Sequence, residues 1–157
     1  MNARAIAVFD GIIKGTVKFF DNDYDQFVAI EINLTVLKQN SLHGFHIHEY
    51  GDLTNLGDNA CTHYNPYGKN HGCPGAKERH VGDLGNIQTD SYGNANYISV
   101  DNIIKLRGKK CNIIGRCLVI HAEPDDCGMG GDEESLKTGN AGYPIACAVI
   151  GIASPVY

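Results

Sequence analysis

Six of the seven histidines in this 157-residue chain lie between His43 and Asp83, in the segments HGFHIHEYGD, THYNP, HGCP and ERHVGD. Imidazoles concentrated this way, with an aspartate three residues after the last of them, point first to bound metal. His46 and His48 are two residues apart in an apolar, strand-like run, so both project from one face. His43 is an odd number of residues from each and faces the other way, as a hydrogen-bonding core residue and not a ligand. His63, His71, His80 and Asp83 follow at spacings of eight, nine and three. Such spacing suits a loop folded around an ion, and three imidazoles with one carboxylate complete a four-coordinate structural zinc set. His121 ends a later apolar run and can join His46 and His48. Three histidines with room for a fourth ligand favour copper or zinc over a hard, oxygen-preferring cation.

The elements that must hold these residues read as strands. Period-two alternation rich in Val, Ile and Phe covers 4–10, 15–21 and 27–37, and Ser41–His48 leads into the histidine segment. Gly11 and Asn22-Asp23 supply turn chemistry between the first strands. Periodicity vanishes from Glu49 to about Gly82, and a loop of that length needs something to order it, which metal ligation would provide. Strands resume at 84–88, 95–100, 113–121 and 145–153. A second long loop, 122–142, holds one short helix, with Asp132 as its N-cap, Glu133 and Glu134 in the first turn and Gly139 as its stop. The expectation is an all-β fold: an antiparallel sandwich or barrel of eight strands with two long functional loops, in one domain spanning 1–157.

Composition narrows the function. Hydrophobic residues make up 43% and charged residues 20% of the chain, values ordinary for a folded globular protein. The formal net charge of −5 argues against binding nucleic acid or an anionic membrane surface. The N-terminus has no apolar core of signal-peptide length, and no apolar run approaches a membrane span, so a cytoplasmic location is expected. Of the six cysteines none forms a C-x-x-C pair, and in a reducing compartment each defaults to a free thiol.

Together HGFHIHEYGD, HYNP, ERHVGDLGN, GRCLVIHAEPDD, GGDEESLKTGNAG and ACAVIGIA resemble the copper/zinc superoxide dismutases, in the right order from about Ala5 to Ala153. The resemblance implies an immunoglobulin-like, eight-stranded Greek-key barrel, usually a homodimer, that converts superoxide to oxygen and hydrogen peroxide. It implies copper on His46, His48, His63 and His121, and zinc on His63, His71, His80 and Asp83. His63 then bridges both metals and relays a proton, and Asp125 orients one ligand of each metal. A copper chaperone is an implied partner.

Two features depart from the family pattern. The family's channel arginine falls at Pro144, which offers neither charge nor donor. A usual loop lysine is Met129, while Lys137 and Thr138 of the channel segment are retained. In a negatively charged chain these losses predict weaker attraction of the superoxide anion. The family's disulfide also implies a Cys61–Cys147 bridge, although Cys61 is displaced along its loop. Two free thiols are the competing expectation, and the other cysteines are left as buried or incidental. A metal-binding relative without catalysis is the alternative function. Retention of all six expected histidines and Asp83 argues against it.

Overall fold

A computed structural model describes residues 4–21, 24, 26–55, 60 and 62–155. Eight strands run β1 (Ala5–Asp10), β2 (Lys14–Phe20), β3 (Val28–Thr35), β4 (Leu42–His48), β5 (Asp83–Gln88), β6 (Ala95–Asp101), β7 (Cys117–His121) and β8 (Pro144–Ile152), with a four-residue helix α1 (Ser135–Thr138) before the last. All pairings are antiparallel, in the order β5-β4-β7-β8-β1-β2-β3-β6. β3 is followed by β4, which pairs with β5 and β7 instead, and β6 is followed by β7, which returns to β4. These two crossovers give the expected Greek-key, nearly closed barrel.

Alternation explains the register. On β1 to β3 the inward set is Ala5, Ala7, Phe9, Val17, Phe19, Ile30, Ile32 and Leu34, all buried, while intervening residues are more exposed. Burying each large apolar side chain contributes roughly 1.5–3 kcal/mol, which fixes the register because a one-residue slip would turn this set outward. β4 and β7 differ: all but Leu42 are buried, because loops cover the outer face. On β4 His43, Phe45 and Ile47 face the barrel interior, whereas Gly44, His46 and His48 lie under the loops. Gly44 is required there, since a Cβ would overlap Ala141 of the second loop.

Two expectations need adjusting. Residues 113–116 do not extend β7, because the Ile113 N–H bonds the Lys105 carbonyl and Gly115 turns the chain at φ 86°. Ile104, Leu106 and Ile113 instead plug the core from that loop. The short helix forms as expected, with Gly139 closing it at φ 72°; Asp132 accepts the Ser135 N–H, while Glu134 occupies the cap position. The Asn22-Asp23 turn lies outside the described residues.

Candidate metal centre

The long loop is tied to β4 through its backbone. The Tyr64 N–H bonds the Ile47 carbonyl at 2.8 Å, the Ile47 N–H bonds the Gly82 carbonyl at 2.8 Å, and the Gly82 N–H bonds the Tyr64 carbonyl at 3.0 Å. This ring sets the residues beside it, His63 and Asp83, next to His46 and His48. Arg79, buried against Asp101 at 2.7 Å, donates to the carbonyls of His80 and Val81 and fixes the end of the loop.

His63, His71, His80 and Asp83 converge on one point. Asp83 Oδ1 lies 2.9 Å from His63 Nδ1, 3.0 Å from His71 Nδ1 and 3.1 Å from His80 Nδ1, and the last is 3.2 Å from His63 Nδ1. Ligands bound tetrahedrally at about 2.0–2.1 Å stand about 3.3–3.4 Å apart, so these separations are close to what zinc requires. The other Asp83 oxygen accepts the N–H groups of Gly72 and His80. Burial opposes its charge, but the His63, His71 and His80 imidazoles crowded around it hold the carboxyl far below the usual range.

His46, His48, His63 and His121 form a second buried group whose ligand atoms lie within 4.8 Å of one another. His48 Nε2 and His121 Nε2 are 3.4 Å apart, and His121 Nδ1–H donates to the Gly142 carbonyl, turning Nε2 inward. Burial outweighs that bond and lowers His121 to about 4. Desolvation first, then the neighbouring His63, holds His46 well below the ordinary imidazole value. Neutral imidazole is the form that ligates metal.

Asp125 connects the groups. Its Oδ2 accepts from His46 Nε2 at 2.6 Å and its Oδ1 from His71 Nε2 at 2.8 Å. Burial raises the Asp125 carboxyl, but these two bonds override it and bring it to about 2. With the outer nitrogens committed, Nδ1 of His46 and of His71 are buried without a hydrogen-bond partner among the described residues. Two such orphaned nitrogens, each aimed among other donors, are what a metal would satisfy. His43 Nε2 is also orphaned but belongs to neither group; its Nδ1–H donates to the His121 carbonyl at 2.9 Å, a scaffold role as expected.

A cavity of about 370 Å³ opens onto His48, His63 and His121, with Lys137, Thr138 and Glu134 on its wall. Lys137 pairs with Glu133 at 2.7 Å, and Thr138 donates to Glu134 at 2.8 Å. Pro144 does not line this cavity; it begins β8 opposite His121, where the missing N–H is tolerated. Met129 is exposed in the second loop.

The expected Cys61–Cys147 bridge falls on Cys61, which lies outside the described residues. Among those residues the bridge formed joins Cys73 to Cys127, and Cys147 is a free thiol. Cys147 neighbours Cys117 across β7 and β8, and the hydrogen bond between them, with burial, pushes the Cys117 thiol up. Cys73 and Cys127 are therefore neither free nor incidental. The signal was present in the sequence: each follows by two residues a member of the bonded pair His71 and Asp125. Arg79 and Asn86, whose side chain exchanges two hydrogen bonds with the Asp125 backbone, also escaped sequence reasoning.

Comparison with known proteins agrees with the geometry. A family model described as copper/zinc superoxide dismutase matches residues 13–150. A protein of Paramecium bursaria Chlorella virus 1 named superoxide dismutase (Cu-Zn) is 57% identical over 149 residues, 95% of this chain and 78% of its own length. One of the same name from Kluyveromyces lactis is 49% identical over 154 residues, covering 98% of this chain and 99% of its own. Among solved structures, that of the clock protein EA4 superposes with a TM-score of 0.91 at 41% identity, over 97% of this chain and 96% of that one.

Proposed function

The chain belongs to the copper/zinc superoxide dismutase family of oxidoreductases, which use copper and zinc, and we propose how its residues divide that work. Copper is held by His46, His48, His63 and His121, and zinc by His63, His71, His80 and Asp83. The observation that carries this division is the pair of orphaned Nδ1 atoms on His46 and His71, each turned inward by Asp125.

When bound, copper supplies the one-electron exchange by which two superoxide anions and two protons become oxygen and hydrogen peroxide. His63 Nδ1 is committed to the zinc group at 2.9 Å from Asp83, so Nε2 is the ring nitrogen that would serve copper and, whenever it is not ligating, could carry the proton for the product. Asp125 keeps both outer-nitrogen protons in place and fixes which ring nitrogen each histidine offers. Thr138 and Lys137 flank the approach to His48, His63 and His121. Lys137 is the cation of that wall, and its Glu133 partner blunts it.

Anion steering is weak in this reading, because Pro144 and Met129 stand where the family carries positive charge. A second copy of the chain is the proposed partner. The resemblance puts the dimer contact on the terminal VIGIA segment and Ile113-Ile114-Gly115; of these, Val149 and Ile152 are exposed, while Ile113 and Ile150 belong to the core. Size measurement in solution tests this, and a monomer would remove it. Copper delivery by a chaperone rests on the resemblance, and the cytoplasmic location and the single domain rest on the sequence reading.

The test of the function is a dismutation assay on protein loaded with both metals. Turnover well above that of the same concentration of free copper is expected; turnover equal to it would overturn the reading.

A further inference from the structure

The Cys73–Cys127 disulfide spans 54 residues and joins the two long loops, with Cα atoms 4.9 Å apart. Its position is specific. The Cys127 N–H donates to Asp125 Oδ1 at 2.7 Å, and that same oxygen accepts from His71 Nε2 at 2.8 Å. On the other side, Cys73 follows Gly72, whose N–H donates to Asp83 Oδ2 at 3.1 Å. The cross-link thus joins the two backbone segments that hold the carboxylates around His71.

The surrounding chain is shaped to let them meet. Cys127 and Gly128 take left-handed φ values of 61° and 74°, and a side chain at Gly128 would crowd the His71 carbonyl. The His71 N–H bonds the Leu136 carbonyl at 2.8 Å, and Gly139 leaves room for Asp125 and His71, which a Cβ there would strike. The contacts that His71 makes with Asp125 and Leu136 therefore cross between the two loops, and the disulfide is the covalent link beside them. Both cysteines are partly exposed, so a small reductant can reach them.

We propose that Cys73 and Cys127 are positioning residues of the zinc group: their disulfide holds His71 and Asp125 in register, so that retention of zinc depends on its integrity. This rests on the assignment of His63, His71, His80 and Asp83 to zinc. Opening it with a dithiol reductant breaks the S–S bond and places two electrons and two protons on the sulfurs as the reductant closes to its own disulfide. His71 then keeps its hydrogen bonds but loses the constraint that makes them persistent.

The experiment compares the copper- and zinc-loaded protein with C73S/C127S, timing transfer of each metal to an excess of chromogenic chelator. The absorption spectrum of cobalt(II) substituted for zinc is recorded alongside, and so is thermal unfolding of the metal-free forms. Zinc should leave the variant about tenfold faster or more, the range for disturbing groups that orient a ligand. Copper, held largely by strand residues, should be released with a smaller acceleration, and the cobalt bands should shift. Brief dithiol treatment of the wild-type protein, with the Cys73 and Cys127 thiols confirmed by mass spectrometry, should reproduce the faster zinc loss even if the variant folds poorly. It should add nothing in the variant. Unchanged zinc release and cobalt spectrum, with only a lowered unfolding temperature, would overturn the inference by showing a plain staple. Equal acceleration of both metals would overturn it as general loosening. Wild-type protein that retains no zinc would overturn the zinc assignment itself and this inference with it.

Discussion

His46, His48 and His121 reach the metal centre from strands β4 and β7, whereas His63, His71 and His80 reach it from a loop. The strand group is aimed by the barrel: Phe45 and Ile47 lock β4 from the opposite face, and pairing with β7 sets His121 alongside. The loop group has no such backing. It is aimed by polar contacts, through Asp83, Asp125, Arg79, the backbone ring at Ile47, Tyr64 and Gly82, and a disulfide. The two ways of placing an imidazole respond to different perturbations. One fails with core packing and the other with hydrogen bonds and charge.

The strongest way to break the strand side is to hollow the core beneath it. Phe45 is 2% exposed, so Phe45→Ala should lower unfolding free energy by about 3–5 kcal/mol, measured by denaturant titration of the metal-free protein. Loss of less than 1 kcal/mol would mean that the barrel does not anchor β4.

The loop side breaks through Asp125. Asp125→Ala leaves His46 and His71 without the acceptor that orients them, and zinc affinity should fall about 10–100-fold by chelator competition. Unchanged affinity would show that the loop aims His71 without it.

Acidity separates His71 of the loop group from His121 of the strand group by sign in the metal-free protein. Burial works against a charge on His71, but its bond to Asp125 and the adjacent Asp83 carboxylate override that and raise it from 6.5 to about 9. Its contribution to stability is present below about 6.5 and is lost as pH rises through 9. His121, lowered from 6.5 to about 4 by burial, behaves oppositely. Its contribution is present above 6.5 and is lost as pH falls through 4. Magnetic-resonance titration of the two rings should find them on opposite sides of the ordinary value, and coincident titrations would erase the distinction.

The smallest effects concern approach to the site. Pro144→Arg should raise the dismutation rate at low ionic strength by up to about tenfold and steepen its decline with salt. Met129→Lys should act in the same direction but less, because Met129 is an exposed loop residue. An unaltered salt profile in both would remove the steering argument.

The strand group and the loop group also differed in legibility. Parity on one strand was enough to put His46 and His48 together and to turn His43 inward, because a strand converts sequence spacing into direction. The core followed from the same alternation. The loop residues could be recognised as ligand types, but their contacts depend on tertiary folding that no local period encodes. Asp125 was found through resemblance, and Asn86 and Arg79 were not found, since a buried polar contact leaves no periodic trace. The Cys73–Cys127 bridge was missed for the same reason. It lies between two aperiodic loops, and only its offset from His71 and Asp125 hinted at it.

The proposed centre is two adjoining metal positions with one imidazole between them. Crystals of protein loaded with both metals, measured at the copper and zinc absorption edges, test that directly. A copper peak among His46, His48, His63 and His121 and a zinc peak among His63, His71, His80 and Asp83 are predicted, with His63 between them. A single peak, or two peaks that do not share His63, would contradict it.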